Sequence, residues 1–147
     1  MTTVMPPSLA GEVAFFVAGR PAPQGSKRHV GRGILVESSK ACGPWRTTVA
    51  FTAAQVVEGP PLDGPLSVHL VFVMPRPAGA PKRSTPPAVK RPDVDKLSRA
   101  VLDALSGVAW RDDSQITHLN ARKRLAELDE TPGVRIRIAP DVQESAA

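Results

Sequence analysis

The stretch "PLSVHLVFVM" at residues 65–74 constrains the fold more than any other part of the chain. Leu66, Val68, Leu70, Phe72 and Met74 fall on one face of a period-two pattern and Val71 and Val73 on the other, which predicts a central strand. A central strand needs neighbours, and two other alternating runs qualify. "EVAFFVAG" puts Val13, Phe15 and Val17 on one side and stops at Gly19. "GVRIRIA" sets Val134, Ile136 and Ile138 against Arg135 and Arg137, so it should be buried on one face only. "ILVES" reads as a short strand or hairpin return, and "SQITHLNARKRL" as a strand that emerges into a basic segment.

Two stretches carry helical periodicity instead. Ser38 or Ser39 is placed to cap a helix through Val57, with Trp45, Val49, Ala53 and Val56 on its apolar face and Gly59 as the stop. Trp45 fits that stripe as a core anchor. Farther on, Val94, Leu97, Val101, Ala104, Leu105 and Val108 recur at helical spacing, with Gly107 at the exit. The expected class is therefore α/β in the broad sense (α+β): a small sheet with about two main helices. Residues 11–139 form a single domain, and 1–10 and 140–147 are read as flexible tails. Sixteen prolines and an aromatic set of only four Phe and two Trp point to long connections around a lean core.

Charge narrows the partners. The formal net charge of +5 favours a polyanion. Two loops concentrate the cations: "RPAPQGSKRHVGRG", with Arg20, Lys27, Arg28 and Arg32, and a Pro-rich basic arm at 75–92, with Lys82, Arg83, Lys90 and Arg91. The arm, which also carries Arg76, is read as a long flexible segment, either an inert linker or one that follows a phosphate backbone. No apolar run reaches the roughly 20 residues of a membrane span, and the N-terminus lacks the basic-then-apolar order of a secretory signal, so a cytoplasmic protein is expected. Cys42 is the lone cysteine, which rules out an intrachain disulfide or a cysteine-rich zinc site. His29, His69 and His118 are too scattered to suggest ligands.

Against this basic background, "RPDVDKLSRAVLDALSGVAWRDDSQI" (residues 91–116) gathers acids at both ends of one helix. Singly, each has an ordinary explanation. Asp93 after Pro92 suits an N-cap, Asp95, Arg99 and Asp103 are spaced for helical ion pairs of about 0.3–0.5 kcal/mol each, and Asp112 and Asp113 suit a turn. Jointly they suggest more. If the strand after Asp113 returned beside the start of the helix, Asp93, Asp95 and Asp113 would meet. Two like charges at about 4 Å repel by roughly 4 kcal/mol at an effective dielectric near 20, so such a cluster calls for a cation. An all-carboxylate set selects a hard ion, Mg²⁺ first with Mn²⁺ as substitute. With cations around it, the chemistry reached is metal-assisted phosphodiester hydrolysis.

The same stretch resembles the central signature of RusA-type Holliday junction resolvases, roughly K/R-P-D-x-D-N-L-x-K-x-x-x-D-A-L followed by D-D-x-Q, and "GRPAPQGSKR" resembles that family's Gly-Pro-basic segment. The resemblance implies a small mixed sheet with about two main helices, a homodimer, and metal-dependent cutting of four-way DNA junctions, with no small-molecule cofactor. It also implies that Asp93, Asp95 and Asp113 are the essential metal-holding acids, with Asp103 and Asp112 in supporting roles. The family lysine aligns with Arg99 and its asparagine with Lys96, so either of these cations would stand in for the lysine. Two alternatives stay open: another structure-specific metal nuclease acting on flaps or branched DNA, and a basic DNA-binding module without catalysis. "PDVDK" shares letters with PD-(D/E)xK nucleases, but its spacing is too compressed for them.

Overall fold

Strand β4, Leu66–Met74, takes the internal position that its double-sided apolar pattern predicts. The computed structural model describes residues 11–25, 27–29, 35–37 and 40–142. Around β4 the elements are β1 (Val13–Ala18), β2 (Lys27–His29), β3 (Leu35–Glu37), α1 (Cys42–Val56), α2 (Val94–Leu105), a 3₁₀ turn (Asp113–Gln115), β5 (Ile116–Leu125) and β6 (Gly133–Pro140). The main sheet runs β1-β6-β4-β5, and β2 and β3 form a separate antiparallel pair. Contacts of β6 with β1 and β4 are antiparallel and that of β4 with β5 is parallel, so the sheet is mixed and the fold α+β.

Both helices feed one core. Cys42, Trp45, Val49 and Ala53 of α1 and Leu97, Ala100, Val101, Ala104 and Leu105 of α2 are buried with Leu66, Val68, Leu70 and Phe72 of β4 and with Val134, Ile136 and Ile138 of β6. Arg135 and Arg137 face out, as the alternation in β6 requires. Two glycines permit close approaches. A Cβ at Gly19, whose φ is +141°, would sit 3.1 Å from the Trp45 ring, and one at Gly133 would sit 2.2 Å from the Val17 carbonyl oxygen. A Cβ does not fit at Gly133, and at Gly19 it would crowd the indole on a backbone conformation that other residues rarely adopt, so these positions let the ends of β1 and β6 close on the core.

Three expectations are corrected. Helix α1 begins at Cys42 with Ala41 at its N-cap and no side-chain cap, while Ser38 and Ser39 lie outside the described residues. Its apolar stripe ends at Ala53: Val56 is 38% exposed, and Val57, where the chain turns to extended geometry, is buried in its place. The basic residues Arg122, Lys123 and Arg124 do not follow β5 but belong to it. Trp110, fully buried, is a core residue that periodicity did not reveal, because it follows the end of α2.

Arg124 anchors the β5–β6 connection. Its guanidinium donates to both carboxylate oxygens of Glu130, at 2.6 and 2.8 Å, and the Glu127 N–H adds a third bond at 2.9 Å. The guanidinium, and then that N–H, hold the Glu130 carboxyl down from 4.5 to about 2. A depressed folded value contributes stability that is present above the ordinary value of 4.5 and lost as pH falls towards 2. Glu130→Gln is therefore expected to lower the melting temperature at neutral pH and to flatten its acid limb between those values, measured by thermal melts across pH.

Candidate active-site cleft

The start of α2 is held from three sides. Lys123 of β5 donates to the carbonyls of Lys90 and Pro92 at 2.8 and 2.7 Å, fixing the chain just before the helix. The Gln24 N–H donates to the Lys96 carbonyl at 2.9 Å, so the loop at 20–25 lies on the first turn of α2. Arg46 of α1 then ties these parts together, donating to Gln24 Oε1 at 3.1 Å and lying 3.9 Å from Asp103. The two segments that resemble the family signature are thus adjacent in space, though about 70 residues apart in sequence.

The expected bland roles of the acids do not all hold. Asp93 occupies the N-cap of α2, yet its side chain makes no capping hydrogen bond. Asp95 makes no ion pair with Arg99, nor Arg99 with Asp103, among the described residues; Asp103 pairs with α1 instead. Asp93 and Asp95 are both exposed, with carboxylates that bond to no other described residue. They sit at the positive end of a helix dipole, which favours negative charge there.

A cleft of about 1310 Å³ opens beside Asp93. Its wall carries Arg20, Arg76, Lys90, Arg91 and Lys96, and Asp93 is the one acid in it among the described residues. Of the other expected DNA-binding cations, Lys82 and Arg83 line a separate recess with Arg76 and Glu127. Lys27 and Arg28 fall in β2, and Arg32 lies outside the described residues.

Arg76 organises the 75–92 arm, a function its position in a Pro-rich run did not suggest. Its guanidinium donates to Thr85 Oγ1 at 2.9 Å, to the Ala126 carbonyl at 3.0 Å, to the Ser84 carbonyl at 2.9 Å and to the Pro81 carbonyl. The arm folds around this fork rather than extending from the domain. Arg76→Ala is expected to cost about 2 kcal/mol and to make residues 77–85 a site of rapid proteolysis, and Arg76→Lys to recover little, since an ammonium cannot span four acceptors. Thermal melts with limited proteolysis check both.

At the far end of α2 the acids have different surroundings. Asp112 accepts from the Ser114 N–H at 2.8 Å and Gln115 Oε1 accepts from the Asp112 N–H at 3.0 Å, a reciprocal cap on the 3₁₀ turn. The Ser114 N–H, then its hydroxyl, lower the Asp112 carboxyl below its ordinary value. Gln115 Nε2 reaches the carbonyls of Leu62 and Gly64, and Trp110 Nε1 donates to Asp113 Oδ1 at 2.8 Å. Asp112 is a structural cap, whereas Asp113 is held by the buried indole with its other oxygen unused among the described residues.

The expected meeting of Asp93, Asp95 and Asp113 does not occur within one chain: among the described residues no three Asp, Glu, His or Cys side chains gather to hold a metal. The reason is topological. Because β5 runs parallel to β4, α2 must carry the chain back along the whole sheet before β5 begins. Its 12 residues span about 18 Å, so the start of β5 lies at the exit of the helix and its end lies at the start. Two exposed carboxylates, Asp93 and Asp95, still fit Mg²⁺, which keeps most of its waters and takes one or two carboxylates together with phosphate oxygens.

A family model described as endodeoxyribonuclease RusA matches residues 18–139. No curated protein matches the chain.

Proposed function

This chain belongs to the RusA endodeoxyribonuclease family, and on that premise we propose that it resolves four-way DNA junctions by divalent-metal-assisted phosphodiester hydrolysis, acting as a homodimer. One observation supports the reading: Asp93, in the wall of a cleft that also carries five cations, and Asp95, two residues further on in the first turn of α2, present exposed carboxylates without partners among the described residues. Cations alone would bind a backbone. Two acids beside them would weaken that binding unless they served another purpose.

Asp93 and Asp95 would hold a divalent ion, which when bound would supply charge neutralisation at the phosphate and an activated water. Arg20, Lys90 and Arg91 hold the DNA backbone along the cleft. Lys96, in the cleft wall, and Arg99, on the exposed side of α2, offset charge that develops on the phosphoryl oxygens. A guanidinium suits fixed-charge stabilisation rather than proton transfer, so Arg99 would act electrostatically; lysine amines stand in the cleft wall at Lys96 and Lys90. Asp113 cannot join the pair within its own protomer, but a homodimer offers a second Asp113 from the other copy. A four-way junction is approximately two-fold symmetric, which suits an isologous dimer with one cut on each of two opposed strands.

The test compares a four-way junction, a flap and a linear duplex, end-labelled on each strand, with Mg²⁺, with Mn²⁺ and with chelator. Paired nicks confined to the junction and abolished by chelator are expected. Equal cutting of flaps would mark a broader structure-specific nuclease. Tight binding without products under either metal would leave a DNA-binding module.

A further inference from the structure

Among the described residues the helices cover one side of the main sheet, and the residues on the other side form a regular grid. Strand register puts Phe16, Arg135, Val71 and Arg122 in one row across β1, β6, β4 and β5, and Ala14, Arg137, His69 and Asn120 in the next. On the far side of the first row, Val73 stands beside Arg124, and beyond the second row Ser67 stands beside His118. The Ser67 hydroxyl lies 2.8 Å from His118 Nδ1 and 3.3 Å from His69 Nε2, so two histidines scattered in sequence adjoin on this face. Arginines therefore flank a central column on both sides.

Two of these four are already neutralised. Arg137 pairs with Glu12 at 2.7 Å and Arg124 with Glu130 at 2.6 Å. Arg122 and Arg135 have no carboxylate at ion-pair distance among the described residues, and both are exposed. The Arg135 guanidinium lies 5.4 Å from the centre of the Phe16 ring, a contact that orients it without cancelling its charge. With neighbouring strands about 4.8 Å apart, the Arg122 and Arg135 backbones stand about 9.6 Å apart across Val71. A second copy of the same face would meet these cations with its own. An apolar partner would have to strip their water. A polyanion fits.

We propose that this open sheet face is a second DNA-backbone site, taking the phosphates of an arm that leaves the cleft around the β5 edge. The edge supports such a path: Lys123 reaches the Lys90 and Pro92 carbonyls beside the cleft, while its neighbours Arg122 and Arg124 point to the other side of the same strand. The site deepens the nuclease reading and rests on it. It would hold a duplex arm by charge alone, independent of sequence, as suits a substrate recognised by branching.

The experiment measures junction binding by wild type, by Arg122→Gln/Arg135→Gln and by Asn120→Asp, across a salt series without metal, with melting curves to establish folding. Arg111→Gln serves as control, since Arg111 pairs with Asp63 at 3.4 Å, away from this face. Each lost phosphate contact reduces the slope of log K against log salt by about 0.9, so the double variant is expected to lose about 2 from the wild-type slope and the control nothing. Asn120→Asp, nearly isosteric, should weaken binding at low salt. A double variant that melts like wild type and keeps its slope and affinity overturns the proposal. If wild type itself shows no salt-dependent junction binding, and no cleavage once Mg²⁺ or Mn²⁺ is added, it is the nuclease reading that falls.

Discussion

Asp93→Asn and Asp95→Asn are each expected to slow metal-dependent junction cleavage by at least about a hundredfold while leaving the melting temperature close to that of wild type. The two halves of this expectation come from the same geometry. Holding a divalent ion at a scissile phosphate supplies several kcal/mol of transition-state stabilisation, and each 1.4 kcal/mol lost is about tenfold in rate. Stability is insensitive because neither carboxylate bonds to another described residue, and the N-cap of α2 is formed without the Asp93 side chain. Only the interaction with the helix dipole is lost, about 0.3–1 kcal/mol at an exposed position. Binding of the junction without metal should strengthen slightly, since a negative charge is removed near the cleft's cations. Cleavage at the wild-type rate by either variant would show that these acids do not hold the ion.

How far this site was legible in the sequence depends on which contacts were local. β1, β4 and β6 and helix α2 follow from periodicity, because burial on one face of a regular element repeats at fixed spacing in the chain. The family signature likewise lies within one short stretch, and the family match over residues 18–139 agrees with it. Contacts across the fold were not readable. Gln24 gains its role only once α1 and α2 pack side by side, and Arg76 once the arm and Ala126 come together. The pairing of His69 with His118 needed the register of two parallel strands, which a bulge near Leu66 shifts. The largest error concerned Asp113. Expecting its strand to return to the start of α2 amounted to skipping the descent of the helix, whereas a parallel neighbour for β4 requires that descent in full. The acids were found, but their distance was not.

That distance makes Asp113 the most informative position for a second prediction. Asp113→Asn keeps an oxygen for the Trp110 indole to donate to, so it should melt near wild type, whereas Asp113→Ala leaves a buried N–H without its partner and should cost about 1–3 kcal/mol. If Asp113 serves only to seat Trp110, Asp113→Asn will cut junctions normally and Asp113→Ala will cut them with a less stable enzyme. If it completes the metal site, both will be inactive despite their different stabilities, by about a hundredfold or more. Mixing the inactive Asp113→Asn and Asp95→Asn chains then distinguishes one protomer from two. Where each site takes its acids from a single chain, every site in a mixed dimer has one defect and nothing is recovered. Where Asp113 comes from the other copy, one site of each mixed dimer collects both defects and the other is intact. Statistical exchange would then restore about a quarter of the sites, each nicking one strand only. Recovery of unpaired nicks on mixing is the expected result, because α2, about 18 Å long, lies between Asp93 at its start and the segment that leads from its exit to Asp113 in the same chain.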